Sequence, residues 1–125
     1  MFVLKNMNPS KRKTDDTYVR TLSMALNISY KQAYKALAEF AMGQSLSMND
    51  IRALRGFLKS FKYKEQQLNK KCSVGVFSDE IAKTGERYIV RIGKANVTTV
   101  VNKNVYDTFN PSKKMVNSYW NINSN

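Results

Sequence analysis

The chain contains no histidine among its 125 residues, and it has a single cysteine, Cys72. Histidine is the usual general base of enzymes near neutral pH and the commonest zinc ligand in proteins. One cysteine excludes an internal disulfide and a cysteine-based metal cluster. The lysines beside Cys72 favour a lowered thiol pKa, but the sequence offers no base partner for it. Glycine-rich phosphate loops and zinc-ligand spacings are missing as well. We therefore expect no metal site, no cofactor and no enzymatic activity.

Long hydrophobic runs are missing too. No stretch of the chain approaches the roughly 20 apolar residues that span a bilayer as a helix. The apolar start, residues 1–4, is shorter than the hydrophobic region of a signal peptide. We therefore expect a cytoplasmic protein without a membrane partner.

Acidic residues are few. Nine Asp and Glu stand against 21 Lys and Arg, which gives a formal net charge of +12. Such a field attracts nucleic acids, anionic surfaces and acidic proteins. A bias in the gene explains the same numbers, because lysine outnumbers arginine 15 to 6 and asparagine occurs 13 times, as expected from an A+T-rich genome. Composition alone leaves both explanations open.

The length suits one domain with a real core, since 42% of the residues are hydrophobic and 11% are aromatic. We divide the single domain 1–125 into four parts by pattern. They are an N-terminal arm (1–13), a helical part (14–60), a mostly antiparallel sheet (61–120) and a frayed tail (121–125).

Apolar residues recur with helical spacing through the N-terminal half and once beyond it. The predicted helices cover residues 16–26, 30–42, 48–59 and 73–82. Thr14 or Asp15 is the predicted cap of the first helix. Ser29 and Gln32 form a capping-box pattern before the second, and Gly43 is predicted to follow its end.

Residues 87–110 are predicted to form an antiparallel meander of three strands. Apolar and basic residues alternate in its first strand, β-branched residues fill the second, and residues 102–104 form a polar turn in which Asn tolerates a positive φ. The predicted strands cover 87–92, 97–101, 105–109 and, after a further turn, 115–120. Residues 2–4 add an edge strand or pack on the core.

Residues 61–64 alternate aromatic and basic side chains. One interpretation is a strand with a buried aromatic face and solvated lysines. The other is a surface for single-stranded nucleic acid, which requires stacking rings together with positive charge.

Two motifs stand within this predicted frame. Residues 16–23 read D-T-Y-V-R-T-L-S, and residues 96–109 read N-V-T-T-V-V-N-K-N-V-Y-D-T-F. They resemble D-C-x-x-R-[AT]-[LI]-[SA] and H-[VA]-x-[AT]-V-x-D-G-x-[VI]-Y-D-[ST]-[WF] of small, phage-type papain-like cysteine peptidases. The resemblance covers residues 14–120. It implies an α+β, papain-like fold in which N-terminal helices pack on a small C-terminal antiparallel sheet.

The resemblance also implies which chemistry is lost. Thr17 stands at the position of the nucleophilic cysteine, Asn96 at that of the general-base histidine, and Asp107 at that of the residue that orients the histidine. A hydroxyl is far less acidic than a thiol, so Thr17 gains little from a helix N-terminus and needs a strong base beside it. The resemblance implies a catalytically inactive frame whose groove, lined by these three residues, binds an extended peptide.

Our leading hypothesis is a phage accessory protein that acts in the host cytoplasm. It binds and interferes with a host protein complex, of defence or nucleic-acid handling, or binds an acidic protein. The alternatives are direct binding of DNA or RNA, a virion component and, least favoured, a residual enzyme. The basic residues available for binding are Lys11, Arg12, Lys13, Arg52, Arg55, Lys59, Lys62, Lys64, Lys70 and Lys71.

Overall fold

Three helices form the N-terminal half, as predicted, in the computed structural model, which describes residues 1–11 and 15–123. They are α1 (Thr17–Leu26), α2 (Tyr30–Gly43) and α3 (Ile51–Ser60). No helix in these described ranges is long and apolar enough to cross a bilayer.

The starts of α1 and α2 test the predicted caps. The capping box of α2 is present, because the Gln32 amide donates to Ser29 Oγ at 3.0 Å and the Ser29 amide donates to Gln32 Oε1 at 2.9 Å. At α1 the N-cap residue is Asp16 rather than Asp15, and its side chain makes no capping bond. The other predicted cap, Thr14, lies outside the described residues.

The end of α2 differs from the prediction that Gly43 follows the helix. Gly43 is the last helical residue, and Ser45 adopts the left-handed conformation instead, with φ of 56°. The Leu46 amide donates to the Ala41 carbonyl at 2.9 Å, and the Ser45 amide donates to the Met42 carbonyl at 3.1 Å. These two bonds form a Schellman motif. Its left-handed residue is a serine, so the preference for glycine pointed to the wrong position.

The end of α3 repeats this motif and corrects the prediction of a strand at residues 61–64. Lys62 is left-handed, with φ of 66°. The Tyr63 amide donates to the Leu58 carbonyl at 3.1 Å, and the Lys62 amide donates to the Lys59 carbonyl at 2.9 Å. Both carbonyls belong to the last turn of the helix, so residues 61–64 are its C-terminal turn and not a strand.

Six strands in the described part of the chain form one sheet in the order β1-β5-β4-β3-β6-β2. They are β1 (Phe2–Leu4), β2 (Glu65–Gln66), β3 (Arg87–Ile92), β4 (Asn96–Val101), β5 (Asn104–Asp107) and β6 (Val116–Asn121). The predicted meander is confirmed as β3, β4 and β5, and the β4–β5 turn has positive φ at Asn102 and Lys103. Every neighbouring pair is antiparallel except β1 and β5, which run parallel. The predicted N-terminal arm therefore supplies an edge strand.

Both faces of the sheet are covered. The predicted helix at 73–82 is present as α4 (Val74–Val76), which continues as a π-helical turn (Phe77–Ile81). It packs with Val90 on one face, whereas Ile89 belongs to the cluster beneath α1, α2 and α3. The strand predicted to be half-buried is therefore buried on both sides.

The predicted frayed tail is wrong as far as the structure describes it. Asn121 is the last residue of β6, and Ile122 is buried in the helix-side core. The Arg87 amide donates to Asn123 Oδ1 at 2.6 Å, which ties the segment to β3. Residues 124–125 lie outside the described ranges.

Candidate functional site

A groove of about 420 Å³ lies between the start of α1 and the loop that joins β3 to β4. Thr17, the first residue of α1, lines one wall, and Asn96, the first residue of β4, lines the other. We call this site the α1 groove. Asp107, the last residue of β5, does not line it and is 8% exposed. It lies instead against a separate space of about 20 Å³ that Thr17 also borders.

The loop that forms the rim of the α1 groove is held from both sides. The Tyr18 hydroxyl donates to the Ala95 carbonyl, and the Asn117 amide group donates to the carbonyl of Gly93. Burial, followed by nearby carboxylates, raises the pKa of Tyr18 above its ordinary value. A tyrosine hydroxyl is protonated at neutral pH, so this one donates to the rim of the groove.

The polar side chains at the positions of the resemblance bond to other groups rather than to one another. Thr17 Oγ1 accepts from the Arg20 guanidinium at 3.1 Å, and Asn96 Oδ1 accepts from the Val97 amide at 2.9 Å. Among the hydrogen bonds of the described residues, none joins Thr17, Asn96 and Asp107 to each other. A nucleophile–base–orienter relay requires two such bonds in series.

Arg20 connects α1 to the end of β5, and sequence reasoning missed this role. Its Nε donates to Asp16 Oδ1 at 2.7 Å, its Nη1 to Thr108 Oγ1 at 2.9 Å, and its Nη2 to Thr17. Asp107 Oδ1 lies 3.9 Å from Nη1. The i, i+4 spacing of Asp16 and Arg20 was the available local signal. The aspartate and the arginine of the motif D-T-Y-V-R-T-L-S, Asp16 and Arg20, therefore form a largely buried ion pair.

The buried network continues beyond this ion pair. Asp16 Oδ2 accepts from the Tyr30 hydroxyl at 2.9 Å and from the Asn8 amide group at 3.1 Å. Burial and the bond to Asp16 raise the pKa of Tyr30 to about 12. Asp107 Oδ2 has no hydrogen-bond partner among the described residues, and the space of about 20 Å³ beside it has the scale of one water molecule. Two carboxylates thus share the single guanidinium of Arg20.

A second cleft, of about 470 Å³, lies between α3 and the segment that leads into β2. We call it the α3 cleft. Three of the predicted basic residues line it, namely Arg55, Lys59 and Lys64, together with Tyr63. Glu65 also lines it and accepts from Arg55 Nε at 2.8 Å. The structure therefore brings part of the predicted basic set together.

Glu65 is held as a carboxylate inside this cleft. Burial on its own raises the pKa of Glu65, but hydrogen bonds from Ser118 and Arg55 outweigh burial and hold that pKa below its ordinary value. Arg91 Nε, at 3.2 Å, supplies a second guanidinium. The carboxylate is therefore matched by two positive groups, and it orients Arg55 along the wall.

The other predicted basic residues lie elsewhere. Arg52 pairs with Asp50 at 2.7 Å, and Lys11 Nζ donates to the Asn6 carbonyl at 2.7 Å. Lys71 borders a different groove, beside Arg91. Neither Lys62 nor Lys70 lines the α3 cleft, and Arg12 and Lys13 lie outside the described residues.

Cys72 is half-buried and unpaired. Burial, followed by the Glu80 carboxylate, raises the pKa of its thiol, so the neighbouring lysines do not activate it. Within residues 1–11 and 15–123, no group of three or more Cys, Asp or Glu is placed to hold a metal ion. No family model, curated protein or solved structure matches this chain.

Proposed function

We propose that this chain is a catalytically inactive, papain-like bacteriophage accessory protein. It binds a host protein in the α1 groove and thereby interferes with a host complex of defence or nucleic-acid handling. The observation that carries the proposal is that Thr17 and Asn96 lie on opposite walls of this groove. Among the described residues, neither side chain bonds to a general base.

The arrangement of elements supports the papain-like part of the proposal. Thr17 opens a helix that packs across β3 and β4, and Asn96 and Asp107 lie on consecutive antiparallel strands. The positions that the resemblance assigns to a nucleophile and a base thus face one groove. The position that it assigns to the orienting residue lies behind Thr17.

Binding without cleavage follows from the chemistry of these side chains. The carboxamide of Asn96 does not take up a proton near neutral pH, so it is no substitute for an imidazole. The group bonded to the Thr17 hydroxyl is the Arg20 guanidinium, which is always protonated and only donates. Hydroxyl and carboxamide groups instead offer donors and acceptors to the backbone of an extended segment.

Charge favours an acidic partner. Among the described residues, the α1 groove itself is lined by one residue of each sign, Asp15 and Lys94. The chain as a whole carries +12, which raises the rate of encounter with a negatively charged protein at low ionic strength. The overall charge then speeds the encounter with an acidic partner, and the contacts in the groove determine which partner binds.

The test is capture of host proteins from nuclease-treated lysate by tagged variants, followed by mass spectrometry. We expect the unmodified chain to retain a host protein and Asn96→Trp, which fills the groove, to lose it. Lys35→Trp, an equally bulky change on an exposed position of α2, is the matched control and should retain it. Equal capture by the Asn96→Trp variant, or loss of every partner after nuclease treatment, would contradict the proposal.

A further inference from the structure

The α3 cleft combines positive charge with an aromatic wall. Arg55 and Lys59 are one turn apart on α3, and Lys64 and Tyr63 come from the segment that follows it. With Glu65 included, the charged lining carries three positive groups and one negative group, and it remains positive overall.

The turn at the end of α3, which leads to Tyr63 and Lys64, carries a further aromatic ring, Phe61, and a further lysine, Lys62. Phe61 is 54% exposed, and its ring centroid lies 5.0 Å from that of Phe57. Lys59, Lys62 and Lys64 form no ion pair with any residue in the described part of the chain. Their charges are therefore available to a polyanion.

We infer that the α3 cleft binds single-stranded nucleic acid. Lys59, Lys64 and Arg55 contact successive phosphates, and a base stacks on the ring of Tyr63. A single strand fits because its bases are unpaired and expose their faces, whereas a duplex encloses them in its own stack. This surface is distinct from the α1 groove, since no described residue lines both. The inference therefore goes beyond the function proposed above and does not depend on it.

Glu65 does not prevent this role. Its carboxylate already accepts from Arg91 and Ser118, so it stays satisfied when a phosphate recruits Arg55. Arg55 is thus bonded to a carboxylate oxygen of Glu65 in the free protein and to a phosphate oxygen in the complex.

The experiment is fluorescence anisotropy with labelled oligo-dT, oligo-U and a duplex of equal length, between about 50 and 200 mM salt. We expect both single strands to bind with a negative salt slope and the duplex to bind more weakly. Lys59→Gln and Lys64→Gln should each reduce the steepness of the slope by about 0.7, the value for one phosphate contact on a single strand. Tyr63→Leu should weaken binding about tenfold, with little change in slope.

Two controls keep the result interpretable. Lys5→Gln removes the same charge next to β1, at the opposite edge of the sheet, and should leave the slope unchanged. Should circular dichroism show that Tyr63→Leu is unfolded, Lys59→Glu replaces it, because position 59 is exposed. This variant should lose most of the binding. Duplex binding as tight as that of oligo-dT would overturn the inference. So would equal competition by poly-glutamate of the same charge, or full affinity in a folded Tyr63→Leu or Lys59→Glu variant.

Discussion

Replacing Arg20 by methionine should destabilise the protein far more than the same replacement at Arg52. Each arginine forms an ion pair of 2.7 Å with an aspartate. The side chains of Arg20 and Asp16 are only 15% and 6% exposed, whereas those of Arg52 and Asp50 are 71% and 26% exposed. The two variants therefore compare the same chemical change in a buried and in a solvated pair.

The magnitude follows from what Arg20→Met leaves behind. Asp16 keeps two neutral hydrogen-bond donors but loses its counter-charge, and Asp107, 3.9 Å from the guanidinium, loses its only ion-pair partner among the described residues. Removing one partner of a buried pair costs about 3–5 kcal/mol, because the remaining charge stays desolvated. At Arg52 water replaces the lost partner, so we expect a change too small to measure.

Urea unfolding followed by the fluorescence of Trp120, the only tryptophan and a core residue, measures both variants. A double-mutant cycle with Asp16→Asn then isolates the pairwise energy, since the two single losses should not add. The reasoning would be refuted if Arg20→Met cost less than about 1 kcal/mol, or no more than Arg52→Met. Apolar packing alone would then hold α1 against the sheet.

Three further predictions test other features. Lys62→Gly should raise the free energy of unfolding by about 1 kcal/mol in urea, because the left-handed conformation at φ 66° is strained for lysine; an unchanged or lower value would contradict this. In a Cys72→Ser background, the double variant Thr17→Cys with Asn96→His should react with iodoacetamide faster than Thr17→Cys alone at about pH 6. The reason is that a nearby imidazolium lowers the pKa of the thiol. Equal rates would mean that the side chains at positions 17 and 96 are too far apart to interact. Tyr30, with its pKa raised from 10.0 to about 12, should contribute stability that is present below pH 10 and lost as pH rises to about 12. Unfolding titrations should show a smaller loss over this range in Tyr30→Phe.

The parts of the fold that could be predicted carry their signals within a few residues. The capping box of α2 needs only Ser29 and Gln32, and the β4–β5 hairpin needs only a two-residue turn that accepts positive φ. Such bonds close inside one turn, so the pattern of the sequence contains both partners. The α+β class and the meander follow from signals of this kind.

The errors have two sources, local rules that favour the wrong residue and contacts between residues that are distant in the chain. The turn after α3 has a left-handed lysine, Lys62, where the sequence rules favour glycine, and the alternation at 61–64 therefore suggested a strand. The tail at 121–123 looked frayed because it is polar, yet Ile122 completes the core and Asn123 bonds to Arg87. Neither contact is visible from neighbouring residues.

The candidate sites also combine residues that the sequence indicated with contacts that only the fold creates. The resemblance pointed to Thr17 and Asn96, and both line the α1 groove. Arg20 reaches Thr108, which is 88 residues away in the chain, so no local pattern indicates that bond. The sequence indicated ten basic residues without showing which of them lie together. The packing of α3 beside β2 brings Arg55, Lys59 and Lys64 into one cleft.

The contacts of Arg20 explain how the start of α1 is fixed against the sheet. The guanidinium bonds to Asp16, Thr17 and Thr108, and so it joins the start of α1 to the end of β5. None of these bonds requires a thiol at position 17 or an imidazole at position 96. The ion pair therefore holds the Thr17 wall of the α1 groove whatever side chain stands at position 96. A preorganised wall that offers hydrogen-bonding groups suits the binding of an extended host segment that we propose.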